Sequence, residues 1–151
     1  MSEATNDEAQ GRVLLVADEG AGVDSLRERL GAAGFAADSS DVESAPLRVA
    51  EGSAPDVVLL AFGEREGEGR LVSLARRLRT EPSSFALPVV FLFREDNRSL
   101  RSAAQHLGVD DYFAQDATAE ELRARLASLL WRAESGRRSA PAVADQRSEI
   151  D

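Results

Sequence analysis

The sequence predicts one α/β domain in which a parallel β-sheet is covered by helices on both faces. Three short runs carry this prediction: RVLLVA (12–17), DVVLLAF (56–62) and PVVFLF (88–93). Each run is rich in Val, Leu and Phe and lacks strict apolar–polar alternation, which is typical of strands buried on both faces. Segments with helical periodicity separate the runs, so strand and helix alternate along the chain. Such alternation indicates a doubly wound sheet.

Two weaker strands and five helices complete the predicted domain. FAADSS (35–40) predicts a second strand, and VDDYFA (109–114) predicts a more polar strand at an edge of the sheet. Gly34 is a suitable end for the first helix, Pro46 fits only the first turn of the short second helix, and Thr118 is a suitable N-cap for the last. Glu120 and Glu121 follow that cap, where they favour the helix dipole. The predicted apolar faces contain Val23, Leu26 and Leu30 in the first helix, Leu71, Leu74 and Leu78 in the third, Leu100, Ala103, Ala104 and Leu107 in the fourth, and Leu122, Leu126, Leu129 and Leu130 in the fifth.

Composition divides the chain into a folded part and two flanking segments. Residues 1–11 are acidic and polar, and we expect a flexible leader there. Residues 12–131 form the predicted domain. Residues 132–151 combine Gly, Pro, Ser and balanced charge without a sustained apolar period, which predicts a disordered linker or tail.

Charge and cysteine content exclude several classes of function. The net charge of −9 argues against direct nucleic-acid binding, because such binding depends on neutralising phosphates with Lys and Arg. No apolar run approaches the length of a membrane span, and the N-terminus is unlike a secretory signal. The chain has no cysteine, so it forms neither disulfides nor thiolate metal sites. We expect a cytoplasmic bacterial protein.

The predicted elements, in this order, resemble the receiver domain of bacterial response regulators. The resemblance covers about residues 12 to 131 and includes RVLLVADEG, GF at 34–35, PDVVLLA, EG at 68–69, LPVVFLF and GVDDYFAQD followed by EELRARLASLLWR. It implies a flavodoxin-like (βα)5 fold with a five-stranded sheet in the order 2-1-3-4-5. The resemblance also implies a role in two-component signalling.

The resemblance implies a phosphorylation pocket that this sequence does not complete. Receivers hold Mg²⁺ with two acidic residues after strand one and an aspartate ending strand three, which is also the phosphoryl acceptor. A Thr or Ser ending strand four and a Lys after strand five, normally followed by Pro, engage the phosphoryl oxygens. The matching positions here are Ala17 and Asp18, with Glu19 beside them, then Ala61, Phe93, Gln115 and Asp116. We therefore predict a degenerate receiver, or pseudo-receiver, that is not an enzyme and needs no metal or other cofactor.

Without phosphoryl chemistry, we expect function to reside in a surface. Receivers commonly bind partners, or each other, through the fourth helix, fifth strand and fifth helix. A protein partner in a signalling or polarity pathway, or a second copy of the chain, is expected there. The candidate contact residues are Arg98, Arg101, Asp110, Asp111, Tyr112, Arg123 and Arg125, with Gln105 and His106 on the same face.

Tyr112 occupies the position of the aromatic residue that moves inward when a receiver is phosphorylated. If Phe93 fills the space into which it would move, Tyr112 is held in one rotamer. The alternative is that Phe93 is an ordinary core residue and Tyr112 an aromatic at the wet edge of the sheet. Trp131, at the end of the last helix, covers the core or, if exposed, is a candidate anchor for a partner.

Two further functions remain open at the level of sequence. The space around Ala17, Ala61 and Phe93 is a candidate pocket for a small molecule. Another carboxylate is a candidate phosphoryl acceptor, although Asp56 lies at the opposite end of its strand. Glu64, Glu66 and Glu68 follow that strand in a loop that we expect to be solvated.

Overall fold

The structure is a computed structural model that describes residues 10–18, 22–50, 54–63 and 68–150, with side chains described at all of these except 68 and 136–150. Five parallel strands form one sheet in the order β2-β1-β3-β4-β5. The elements are β1 (Gly11–Ala17), α1 (Val23–Ala32), β2 (Phe35–Ser40), α2 (Ala45–Ala50), β3 (Val57–Phe62), α3 (Glu68–Thr80), β4 (Val89–Phe93), α4 (Arg98–Leu107), β5 (Asp111–Ala114) and α5 (Ala119–Ile150). The predicted flavodoxin-like fold and its strand order are confirmed.

The central strands lack apolar–polar alternation because both of their faces are covered. All six residues of β3 are buried, and so are the four residues from Val13 to Val16 in β1. Alternate side chains of these strands enter two separate cores. One core includes Leu15, Leu59 and Ala61 and is closed by α1 and α5. The other is closed by α2, α3 and α4 and includes Leu14, Leu60, Phe62 and Phe91.

Two residues that the sequence analysis placed at helix ends, Thr118 and Gly34, lie at helix ends in the structure. Thr118 and Glu121 form a reciprocal capping box: the Thr118 hydroxyl accepts from the Glu121 amide at 3.1 Å, and the Glu121 carboxylate accepts from the Thr118 amide at 2.9 Å. Gly34 follows α1 with a φ of 100°, a conformation that favours glycine. The capping box therefore fixes the start of α5, which follows β5, and Gly34 follows the end of α1, the helix after β1.

The two flanking segments are described only in part. The predicted leader lies outside the described residues up to residue 9, while Gln10 donates its backbone amide to the Gly34 carbonyl at 2.8 Å. At the other end, the backbone continues as part of α5 to Ile150. The flexible leader and the disordered linker or tail from residue 132 stay predictions.

Trp131 does not cover the core, because 66% of its surface is exposed. The apolar face of α5 ends one residue earlier, where the partly buried Leu130 packs against the first core. Within the described part of the chain, no helix is both long and apolar enough to cross a membrane.

Candidate functional site at the carboxyl edge of the sheet

The carboxyl ends of β1 and β3 carry methyl groups side by side. Ala17 and Ala61 are register partners in neighbouring parallel strands, and Ala61 is completely buried. A methyl group neither ligates a cation nor attacks phosphorus. The two positions at which the resemblance predicts acidic residues therefore extend the apolar core.

Asp18 is the acidic residue of this edge that the structure describes, and its carboxylate lies against the backbone of the neighbouring strand end. Its Oδ1 accepts from the Gly63 amide at 2.6 Å, while its own amide donates to the Ala61 carbonyl at 3.3 Å. The side chain thus joins the segment after β1 to the segment after β3. Glu19, the other predicted acidic residue, lies outside the described residues.

Gln115 lies directly after β5 and reaches across the edge of the sheet. Its Nε2 donates to the Phe62 carbonyl at 2.9 Å, and its Oε1 accepts from the Gly22 amide at 3.4 Å. Its own amide donates to the Phe93 carbonyl at 3.0 Å. The neutral side chain therefore links the end of β3 to the start of α1, and the backbone amide links the residue after β5 to the end of β4.

Arg29 is a structural residue of this site that the sequence analysis missed. From α1, its Nη1 donates to the carbonyls of Gln115 at 2.7 Å and Ala117 at 2.5 Å. These contacts fix the loop between β5 and α5, which positions Gln115. The partners are 86 and 88 residues apart from Arg29 in sequence, and no local pattern marks such a pair.

Phe93 and Tyr112 lie on the other side of the sheet from Ala61. The Phe93 side chain packs against the second core, and its ring centroid is 4.7 Å from that of Tyr112. The Tyr112 hydroxyl donates to Oδ1 of Asp96 at 2.7 Å. Phe93 is therefore a partner of Tyr112, and Asp96 is a second contact that the sequence analysis did not identify.

Two of the three residues predicted to line a pocket, Ala61 and Phe93, lie on opposite faces of the sheet. Ala61 belongs to one core and Phe93 packs against the other, because side chains of adjacent positions point to opposite faces of a sheet. Ala17 instead lines a groove of about 290 Å³ with Leu15, Val23, Ser39, Ser40 and Asp41, between β1, β2 and α1.

Comparison with known proteins identifies the kind of domain. The chain is 32% identical over 123 residues to the phosphate regulon transcriptional regulatory protein PhoB of Rhizobium meliloti (strain 1021), covering 81% of this chain and 53% of that protein. It is 31% identical over 121 residues to the response regulator MprA of Mycobacterium sp. (strain KMS), covering 80% and 51%. A receiver domain protein (CheY-like) of Methanospirillum hungatei JF-1 shares the fold with a TM-score of 0.65 at 13% identity, covering 82% of this chain and 96% of that one. No family model matches the sequence.

The domain has the fold of a response-regulator receiver, and the chain is similar in sequence to response regulators. The chain spans about half the length of the curated relatives it matches. The similarity therefore concerns the five-stranded domain and not the activity of a whole regulator.

The described residues of this domain do not fit the Mg²⁺ ion that the resemblance to receivers implies. Mg²⁺ takes oxygen ligands, and the side chains of Ala17 and Ala61 offer none. Oδ1 of Asp18 already accepts a short hydrogen bond from Gly63. Over the described ranges, no group of three or more His, Cys, Asp or Glu side chains is arranged to hold a metal ion.

Asp56, one of the alternative carboxylates, has a structural role at the amino end of β3. Its Oδ2 accepts from the Arg12 amide at 2.8 Å, and its own amide donates to the Arg12 carbonyl at 2.8 Å. This places it at the end of the sheet opposite to Ala61, as predicted. Glu64 and Glu66 lie outside the described residues, as does the side chain of Glu68.

The candidate partner residues of the domain lie on α4, on β5 and the residue before it, and on α5, and most of their charges pair within the domain. Arg101 pairs with Asp96, and Asp110 pairs with Arg79 at 2.7 Å. The Arg125 Nη1 lies 3.0 Å from both carboxylate oxygens of Asp111, and its guanidinium lies 4.6 Å from the centre of the Phe113 ring. The further candidates are all exposed: Arg98, Arg123, Gln105 and His106.

Proposed function

We propose that this receiver is a phosphorylation-independent interaction module of two-component-type signalling in the bacterial cytoplasm. It acts as an adaptor, scaffold or regulatory domain by binding a protein partner or a second copy of itself. The observation that carries the proposal is the buried Ala61 methyl group at the position of the phosphoryl acceptor. The Gln115 amide supports it, since this side chain is engaged with the backbone of β3 and α1 in place of a lysine that would meet a phosphoryl group.

Phosphate incorporation tests the first half of the proposal. We expect no mass increase when the wild-type chain is incubated with acetyl phosphate and Mg²⁺ and then weighed intact by mass spectrometry. A variant that restores the family pattern, Ala17→Asp, Ala61→Asp, Phe93→Thr and Gln115→Lys together, is the matched comparison and is expected to gain one phosphate. Covalent phosphate on any carboxylate of the wild-type chain would overturn the proposal.

Binding measurements test the second half. The guanidinium groups of Arg98 and Arg123 are exposed on the α4–β5–α5 face, so reversing their charge should weaken a contact made there. We expect Arg98→Glu with Arg123→Glu to reduce self-association in sedimentation velocity, or binding of a partner captured by cross-linking. Arg27→Glu, at an exposed position of α1, is the matched control on another face. Equal loss in the control and the double variant would contradict the assignment of the face.

A small-molecule sensor is a second candidate, favoured by one observation. The groove beside Ala17 has an apolar floor, with Leu15 and Val23, and a polar rim that includes Asp41. A thermal-shift screen of metabolites tests this role. A compound that stabilises the wild-type chain, but not an Ala17→Leu variant whose larger side chain enters the groove, would support it. The absence of any such compound favours the interaction module.

A further inference from the structure

The Tyr112 hydroxyl, on the α4–β5 surface, is hydrogen-bonded to the Asp96 carboxylate, which also pairs with Arg101. Tyr112 donates to Oδ1 of Asp96 at 2.7 Å, and Oδ2 of the same carboxylate accepts from the Arg101 guanidinium. Asp96 precedes α4, Arg101 lies within it, and Tyr112 lies in β5. One carboxylate therefore joins a loop, a helix and a strand.

The loop that carries Asp96 is fixed by the start of α4. Oδ1 of Asn97 accepts from the Leu100 amide at 2.7 Å, and the Asn97 carbonyl accepts from the Arg101 amide at 3.0 Å. An asparagine N-cap of this kind sets the backbone at the helix start. Asp96, the preceding residue, is thereby presented to Tyr112 from a defined position.

Phe93 limits the movement of the ring in the other direction. In the register of the parallel pair, Phe93 lies opposite Ala114, and Phe91 lies opposite Tyr112. Phe93 is thus one step nearer to the carboxyl edge than the strand position facing Tyr112. Its ring lies 4.7 Å from the tyrosine ring with an interplanar angle of 36°, so a move of Tyr112 toward that edge would meet Phe93.

We propose that Asp96, Arg101 and Phe93, here called the tyrosine latch, hold Tyr112 in a single position and so give the α4–β5 surface one conformation. The inference rests on the proposed function, in which no phosphoryl group arrives to change that position. Two different contacts act together: Asp96 retains the hydroxyl at the surface, and Phe93 obstructs the inward path. The domain then presents a permanent surface where an ordinary receiver presents a switched one.

Nuclear magnetic resonance tests the latch directly, because Tyr112 is the only tyrosine of the chain. With tyrosine-selective labelling, we expect one set of ring signals without microsecond-to-millisecond exchange in the wild-type protein. Asp96→Ala removes the acceptor at an exposed position, so the fold is retained; we expect the ring signals to shift and to broaden by exchange. Glu95→Ala changes the neighbouring exposed carboxylate and should leave the signals unchanged.

Two results would overturn the latch: exchange between two Tyr112 conformers in the wild-type protein, or spectra of Asp96→Ala that match the wild type. The same labelled samples can be treated with acetyl phosphate and Mg²⁺ and weighed. Exchange without phosphate uptake rejects the latch alone. Phosphate uptake rejects the proposed function, whatever the tyrosine signals show.

Discussion

Gln115 makes neutral contacts at a position where the resemblance to receivers predicts a lysine. A lysine side chain would only donate, whereas the Gln115 amide both donates and accepts. It uses these two capacities on the Phe62 carbonyl and the Gly22 amide. The residue therefore closes the carboxyl edge of the sheet through backbone contacts that exist in the absence of any ligand.

Replacing Gln115 by Ala should lower the stability of the domain. The side chain makes two hydrogen bonds to the backbone, one of them long, and a typical intramolecular hydrogen bond contributes about 1 kcal/mol. We expect the free energy of unfolding in urea to fall by about 1 kcal/mol. Gln105→Ala, at an exposed position of α4, is the control and should change it by less than about 0.5 kcal/mol. An equal fall in the free energy of unfolding in the two variants would show that the Gln115 side chain does not stabilise the carboxyl edge of the sheet.

Alkaline titration of Tyr112 reports on its contact with Asp96. Burial, followed by the hydrogen bond and negative charge of Asp96, raises the pKa of Tyr112 from 10.0 to about 12. A raised pKa means that the folded state holds the phenol proton more tightly than the unfolded state. The resulting stability is complete below pH 10 and is lost as the pH rises toward about 12.

We expect the near-ultraviolet absorbance of the folded protein to show phenolate formation near that raised pKa. The Asp96→Ala variant should titrate at lower pH, since it loses both the hydrogen bond and the nearby negative charge. Glu95→Ala again serves as the control and should titrate like the wild type. A wild-type pKa near the ordinary tyrosine value would contradict the contact.

At the scale of secondary structure, Arg79 joins the amino ends of β4 and β5 to the end of α3. Its Nη1 donates to the carbonyls of Phe85 and Leu87, each at 3.2 Å. Its Nη2 donates to the Gly108 carbonyl at 3.0 Å and to Oδ2 of Asp110 at 2.7 Å. These hydrogen bonds of Arg79 lie at the end of the sheet opposite to Gln115. Each end of the sheet therefore has a side chain that hydrogen-bonds neighbouring segments together.

Loss of the Arg79 guanidinium should cost more than loss of a surface charge. Removing it takes the Arg79 donor from several loop carbonyls and leaves Asp110 with the Val89 amide but without its ion-pair partner. We expect Arg79→Ala to lower the free energy of unfolding by about 1–3 kcal/mol. Arg79→Lys should recover only part of this loss, because an ammonium group cannot reproduce the planar fork. Arg76→Ala, at an exposed position of the same helix, should be nearly neutral. Urea unfolding of the three variants measures the three free energies of unfolding and so ranks these effects.

The sequence predicted the elements better than it predicted the contacts between them. Burial on both faces gives β1, β3 and β4 continuous apolar sequences, which are recognisable without a structure. The Thr118–Glu121 capping box joins residues close in sequence. Both features could therefore be predicted. The bond from Tyr112 to Asp96 joins residues 16 apart, and those of Arg29 span more than 80 residues. Such pairs depend on how loops meet at a sheet edge, which no periodicity records.

At the scale of the whole molecule, the receiver fold is formed with Ala17 and Ala61 at two positions where the resemblance to receivers predicts carboxylates. Close carboxylates repel each other by about 1–4 kcal/mol per pair, depending on the effective dielectric constant. The two methyl groups carry no charge and pack with the first core. The sheet itself does not need the acidic cluster, because its two cores are built from residues elsewhere along the strands.

This view predicts that Mg²⁺ does not stabilise the wild-type domain. We expect the melting temperature to be the same with and without millimolar Mg²⁺, since a ligand raises stability only where the folded state binds it.

The double variant Ala17→Asp with Ala61→Asp is the comparison, because its two new carboxylates and that of Asp18 make three. Without metal it should melt below the wild type because of repulsion and the burial of charge at position 61. Added Mg²⁺ should recover that loss, and calorimetry with each protein measures both effects. A clear rise in the wild-type melting temperature on adding Mg²⁺ would show that a cation site is present at this edge and would contradict the prediction.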